Sequence, residues 1–334
     1  MRESLVDALA CPDCHADLTL LDARKSGGHV EQGTLQCRGC GARFPIEHSV
    51  PNFVPAKDRG DVVQTTSGFA RNWDEYNYVI LDNEALNHEL FRDWIAPLDP
   101  HAMRGKLVLE PGCGMGRWLR IAASYGPRML IGVDYSSVAY TAARNVRDLP
   151  NVHVVRADIL RLPLKPEFEV GYCLGVVHHT PDPERSFKAL VDVLAPSGIL
   201  TVWVYGAENN GWIRRLVTPL RVHVTSKLPH RLLMMLSMAL TVPLYLAASA
   251  SAALPVPYRR YLQHLRRYPF RYMSHIVYDH LVPEIAHYLP REELERWVAQ
   301  DGLHAQLSQR NGNSWRLLVS RVAETLPSEL PKTG

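Results

Sequence analysis

A short apolar run ends in an acid and passes straight into three glycines at alternate positions: LVLEPGCGMGRW, residues 107–118. That stretch constrains the chain more than any other. An apolar run of this kind reads as a buried strand, and glycines this dense let the backbone wrap closely around a ligand before a helix begins. The pattern then repeats. Strands are expected at 106–110, 129–134, 152–158, 169–176 and 198–205, with helices at 116–125, 136–147 and 183–194 between them. Nearly continuous apolar strands spaced by helices predict an α/β fold with a parallel sheet covered on both faces. Ligands in such sheets bind at the carboxyl ends of the strands. Farther on, a helix at 290–302 precedes two extended runs joined by Asn311-Gly312-Asn313, a strong hairpin signal.

The loop itself excludes two common ligands. A triphosphate loop needs Lys and then Ser or Thr after its last glycine, and here Arg117 and Trp118 follow Gly116. A dinucleotide loop reads G-x-G-x-x-G, and this one reads G-x-G-x-G. Glu110, where strand passes into loop, would repel a pyrophosphate and suits an ammonium or sulfonium group. Asp134 closes the second expected strand, where an acid takes ribose hydroxyls. Asp158 closes the third, placed for an adenine amino group. Tyr135 either stacks near that adenine or is a plain core tyrosine. A cationic, ribose-bearing adenosine ligand is S-adenosylmethionine.

VLEPGCGMG, GVDYS, RADIL, GVVHHTPDP and LAPSGILTVWVY, taken in order, resemble the class I S-adenosylmethionine-dependent methyltransferases. The nearest branch is the one holding small-molecule and quinone methyltransferases. The resemblance covers residues 69–206 and 279–322. It implies a Rossmann-like seven-stranded sheet with a terminal β-hairpin. It also implies that Glu110, Gly112 and Gly114 line the methionine part of the cofactor, with Cys113 and Gly116 in the same loop. Asp134 then serves the ribose, and Asp158 with Ile159 the adenine. Glu110 stands where the family more often has Asp, which keeps the charge.

Ahead of this core, Cys11 and Cys14 form one C-x2-C pair and Cys37 and Cys40 a second. Two such pairs at this separation read as a tetrahedral structural zinc site, with a redox pair or chance spacing as the alternative. Residues 1–55 bury too little to fold unaided, so they form a separate module that metal binding would stabilise. Residues 5–55 are similar to the zinc-ribbon activator proteins that pair with tRNA and release-factor methyltransferases. The same ribbon precedes ribosomal-RNA guanine methyltransferases, which keeps RNA open as a substrate. Residues 56–105 are expected to be a linker and an N-terminal helical lid, in which Phe69, Trp73 and Tyr76 either cover the cofactor or form one buried helix face.

The core is expected at 106–208 and 279–325, interrupted by an insertion at 209–278. That insertion contains no Asp or Glu, against Arg214, Arg215, Arg221, Lys227, Arg231, Arg259, Arg260, Arg266, Arg267 and Arg271. Residues 232–258 within it are uncharged, with Pro243 in the middle. Three readings stand: a helical cap buried against the active-site mouth, an amphipathic hairpin in the bilayer surface, or a membrane span. The first two favour a lipophilic or anionic acceptor. Basic residues among Tyr261, Tyr268, Phe270 and Tyr272 could instead grip RNA, although nucleic-acid surfaces are seldom so apolar.

Methyl transfer from a sulfonium is an in-line displacement that needs alignment and a dry pocket. His178 and His179 follow the fourth strand and either orient or deprotonate the acceptor, or pack against the cofactor and loop backbone. Asp279, His280, His287 and Tyr288 approach the substrate side by position, or else lie on the surface. The net charge of +3 does not by itself imply a nucleic-acid binder. No secretory signal is visible at the N-terminus, which places the protein in the cytoplasm or peripherally at the inner face of the membrane. The sequence thus points to methylation at O or C of a small, hydrophobic or anionic acceptor. An RNA methyltransferase is the alternative, and a non-catalytic cofactor-binding scaffold the second.

Overall fold

The computed structural model describes residues 1–55, 68, 71–73, 75–78, 80–256 and 259–326, so Phe69 lies outside the described residues. Its centre is a seven-stranded sheet: β5 (Leu107–Pro111), β6 (Met129–Asp134), β7 (Val152–Arg156), β8 (Phe168–Leu174), β9 (Leu194–Tyr205), β10 (His304–Arg310) and β11 (Ser314–Ser320). The order across the sheet is β10-β11-β9-β8-β5-β6-β7, and β11 is antiparallel to both its neighbours while the pairs from β9 to β7 are parallel. β5 is buried at every position because helices cover both faces of the sheet. The chain runs outward from β5 through β6 to β7, then returns to β8 on its other side. The switch point therefore lies between β5 and β8, where such sheets open a ligand crevice.

Local sequence explains the connections. β5 turns through Gly112, Gly114 and Gly116, all at positive φ, into a helix, Arg117–Ala123. The helix Pro183–Asp192 starts with Asp182 accepting from the Arg185 N–H at 3.0 Å and with Pro183 in its first turn. Asn311 and Gly312 both hold positive φ between β10 and β11, as the hairpin signal requires.

Residues 1–55 build their own antiparallel sheet in the order β1 (Leu18–Ser26), β2 (His29–Cys37), β3 (Arg43–Glu47) and β4 (Val50–Pro51). The expected separate module is docked, however. Phe53 donates its N–H to the Arg156 carbonyl at 2.8 Å, and Ala10 to that of Pro163 at 3.0 Å, so the ribbon covers the β7 edge. Leu5, Leu9 and Phe53 share one core with Val155, Leu164 and Phe168. An uncovered edge strand invites pairing with other chains, and this one is covered.

The insertion is helical: Thr218–His223 (α5 here, after α1 Glu84–Ile95, α2 Arg117–Ala123, α3 Val138–Asn145 and α4 Pro183–Asp192), then α6 His230–Ala250, α7 Arg259–Leu265 and α8 Phe270–Leu281, before α9 Arg291–Gln300. α8 crosses the expected junction at 278/279 without a break, because its apolar and small residues keep helical spacing through Leu281. α6 packs on α8 through small polar residues, with Ser237 facing Ser274 across 3.5 Å. Its outer face is bare, with Met235 at 67% and Leu246 at 64% exposure. α6 is thus packed on one side and exposed on the other. Among the described residues, α6 is the helix long and apolar enough to cross a membrane, with a mean hydropathy of 1.8 over its best window.

Candidate active site and metal centre

The four cysteines of the ribbon converge. Cys11, Cys14, Cys37 and Cys40 place their Sγ atoms within 4.8 Å of one another, with 3.7 Å from Cys11 to Cys40 and 3.4 Å from Cys14 to Cys37. Tetrahedral zinc with thiolate ligands needs sulfurs about 3.8 Å apart. The Gly39 and Cys40 N–H groups point at Cys37 Sγ at 3.3 and 3.4 Å, which favours the thiolate a metal requires. The donor set and spacing fit zinc, and the four cysteines could hold it as a structural ion.

At the switch point the glycine loop meets Glu110 and Asp134, and Asp158 follows the end of β7 farther along the sheet. Glu110 is 2% exposed and accepts from the Tyr172 hydroxyl at 2.9 Å. Burial pushes its carboxyl well above the usual range, against the opposing pull of Tyr172 and Arg117. Asp134 holds the loop: Oδ2 accepts from the Gly114 N–H at 2.9 Å, and Oδ1 from the N–H and hydroxyl of Ser136 at 2.9 and 2.7 Å. Its carboxyl is raised too, again by burial. Asp158 caps a short 3-10 helix through the Leu160 N–H at 2.9 Å and carries Ile159 beside it. Tyr135 is half-buried and receives Arg156 on its carbonyl at 3.1 Å. Gly112 has no room for a side chain, since a Cβ would lie 2.1 Å from Val176 Cγ2. At Gly114 a Cβ would stand 3.7 Å from the Trp73 ring, so Trp73 packs against the loop. Cys113 is buried within the turn.

A buried Glu110 and a half-buried Asp134, both with carboxyls raised by burial, thus stand beside a loop of open backbone with Trp73 against it. Three contributors carry no sequence signal. Tyr172 acts only because β8 pairs with β5. Arg117 lies over Trp118, 3.8 Å from its ring, and donates to the Tyr272 hydroxyl. His275, on α8, meets the Trp73 ring edge-on at 4.5 Å.

Beyond the loop, after β8, His178 and His179 sit side by side at 4.3 Å. His178 is fully buried against Tyr205 at 4.0 Å, and neither ring nitrogen has a partner. His179 Nδ1 is engaged at the Ile285 carbonyl at 2.7 Å. Burial holds His178 well below its ordinary value and brings His179 down to about 4, so both are neutral. Tyr288 stacks on Tyr205 at 5.6 Å, and the His287 N–H bonds to the His178 carbonyl at 2.8 Å. Asp279 accepts from Asn72 at 2.6 Å and faces His275 Nε2 at 3.3 Å; burial raises its carboxyl to about 7. His178, His179, His280 and Tyr288 thus share Tyr205 as a ring neighbour, while Asp279 sits with Asn72 and His275.

Comparison with known proteins agrees with this geometry. Residues 109–202 match the model of a methyltransferase domain, and residues 2–49 that of Trm112p-like proteins. A tRNA U34 carboxymethyltransferase from Ruthia magnifica subsp. Calyptogena magnifica is 32% identical over 157 residues, 46% of this chain and 48% of that one. A ubiquinone biosynthesis O-methyltransferase from Neisseria meningitidis is 30% identical over 109 residues, 31% of this chain and 46% of that one. The chain thus spans less than half the length of these relatives. A solved DhpI–SAH complex superimposes with a TM-score of 0.47 at 14% identity, over 79% of this chain and 98% of the other. The chain thus carries a methyltransferase domain behind a Trm112p-like one. Relatives from Sulfurovum, 31% identical over 34% of this chain and 39% of that one, and from Pseudoalteromonas atlantica, 28% identical over 34% and 37%, are also named tRNA U34 carboxymethyltransferases.

Proposed function

We propose that this chain, with its methyltransferase domain behind a Trm112p-like domain, is an S-adenosylmethionine-dependent methyltransferase whose acceptor is presented by an RNA. The observation that carries the activity is the cradle of Glu110, Asp134 and the glycine loop under Trp73. Burial raises both carboxyls, and a sulfonium and an ammonium beside them would favour their charged forms. Glu110 with Gly112, Cys113, Gly114 and Gly116 lines the methionine end, Asp134 the ribose, and Tyr135, Asp158 and Ile159 the adenine. The bound cofactor supplies an activated methyl group on a sulfonium. Trp73 and His275 keep water from that group, and neutral His178 offers a lone pair to an acceptor that must lose a proton.

The RNA reading is supported by the tRNA methyltransferases among the relatives and by the Trm112p-like ribbon beside the sheet edge. A flipped-out nucleotide would reach the buried cluster. A second reading has its own support in the bare apolar face of α6, flanked by an insertion without acidic residues. On that reading the acceptor is a lipophilic anion and the protein works at the cytoplasmic membrane face.

Incubating the full chain with methyl-labelled cofactor and cell extract separates the two. Label in nuclease-sensitive material is expected on the RNA reading, and label in the organic phase on the second. Loss of all label in both Glu110→Ala and Asp134→Ala is expected in either case. Failure of the wild-type chain to bind S-adenosylmethionine or its demethylated product would overturn the activity itself.

A further inference from the structure

Arg221 is a basic residue in the wrong place. It lies on α5 of the insertion, yet is only 2% exposed, among the largest fully buried side chains of the molecule. Its Nε and Nη2 are buried with no hydrogen-bond partner, and among the described residues no carboxylate lies within ion-pair distance of it. A guanidinium cannot shed its charge, so an unpaired one in the interior is costly unless something else pairs it. α5 is fixed where it is: just beyond it, the Thr225 hydroxyl bonds to the Leu281 carbonyl at 2.7 Å, tying the segment to the end of α8.

The histidines after β8 and at the end of α8 lie within electrostatic reach of Arg221. Its positive charge acts on His178, His179, His280 and Tyr205. His178 adds a second vacancy there, with both ring nitrogens buried and unpartnered, and His287 Nε2 is likewise buried and bare. The acid of the neighbourhood, Asp279, has turned its oxygens to Asn72 and His275 and gives Arg221 nothing. A buried guanidinium with unpartnered N–H groups, within electrostatic reach of a neutral imidazole whose one ring N–H is also unpartnered, matches an oxyanion from outside.

We propose that Arg221, with an N–H of His178, anchors a carboxylate or phosphate group carried by the methyl acceptor beside the atom to be methylated. This deepens the methyltransferase reading and rests on it. Arg221 is the binding residue for the charge, and His178 fixes the orientation. The insertion then has a reason to sit over the strand ends: it brings the guanidinium that the core lacks. An acceptor without an anionic group would leave the guanidinium buried and unpaired, so the site selects against neutral analogues.

The test uses the full chain saturated with S-adenosylhomocysteine, unfolded thermally against inorganic phosphate and against acetate. At least one anion is expected to raise the wild-type midpoint, and Arg221→Met to abolish that rise while Arg221→Lys retains part of it. A residue kept for structure destabilises when removed. Arg221→Met is instead expected to unfold a few degrees above the wild type in the absence of anion, because an unpaired buried charge has gone. A uridine trinucleotide and a short-chain phosphatidic acid, compared at equal phosphate, tell an RNA source from a lipid headgroup. No anion effect on the wild type, or an equal effect on Arg221→Met, overturns the proposal. S-adenosylhomocysteine affinity, measured separately by calorimetry, is expected to be the same in all three proteins; its absence in the wild type would sink the methyltransferase reading instead.

Discussion

Gly112 holds a φ of +73°, and the side chain of Val176 fills the space its own would need. Gly112→Ala therefore meets both a strained backbone and a clash, with an expected cost of about 1–3 kcal/mol. Calorimetry should show cofactor affinity falling further than the melting temperature alone explains, since the loop and the segment after β8 must part. Glu110 gives a prediction of opposite signs. Its folded carboxyl is raised, so folding takes up a proton, and stability falls as pH rises from the ordinary carboxylate range through the raised value. Without cofactor, Glu110→Gln should unfold at a higher temperature than the wild type at pH 8 and at the same temperature near pH 4. With S-adenosylmethionine the order should reverse, because the variant loses the charge that faces the cation, about tenfold or more in affinity. Asp279 shares the sign, with its fall running from the ordinary carboxylate range up to about pH 7 and levelling off above it. An Asp279→Asn variant should flatten the melting curve there and leave the Glu110 contribution in place.

At the scale of elements, the ribbon and the sheet edge stand together. Metal analysis of the purified chain should find about one zinc, and Cys14→Ser or a chelator should remove it. Loss of the ion should cost more than the ribbon's own order, because Phe53, Leu9 and Leu5 leave the core that they share with β7 and β8. The measurable consequence is a lower melting temperature together with dye-binding apolar surface and concentration-dependent aggregation through the bared β7. α6 offers the complementary case. Vesicles of anionic lipid are expected to float the wild-type chain, and the double change Met235→Glu, Leu246→Glu to leave it in solution with cofactor binding intact. Unchanged flotation of that variant would show that the apolar face does not meet lipid.

Across the whole molecule, what could be read in the sequence was what local pattern encodes. β6 was placed residue for residue at 129–134, because its apolar run is bounded by a turn on one side and an acid on the other. The hairpin followed from Asn311-Gly312, and the metal site from the spacing of its cysteines. The residues that escaped are those whose meaning arises only when distant segments pack. Tyr172 looks like any strand tyrosine until β5 lies beside it. Arg221 looks like any of ten basic residues until α5 is folded inward and water is gone. The docking of the ribbon escaped for the same reason, since main-chain bonds to Arg156 and Pro163 leave no mark on side-chain identity.

That docking has a temporal side. The ribbon leaves the ribosome roughly a hundred residues ahead of the strand it covers, and once metallated it is already a finished object. When β7 follows, its shield is waiting, so a nascent chain supplied with zinc is never caught with that strand naked. Starved of the metal during synthesis, the same chain would emerge with its most association-prone border unguarded, which makes zinc supply at the moment of translation, and not only later, a condition for the yield of folded protein.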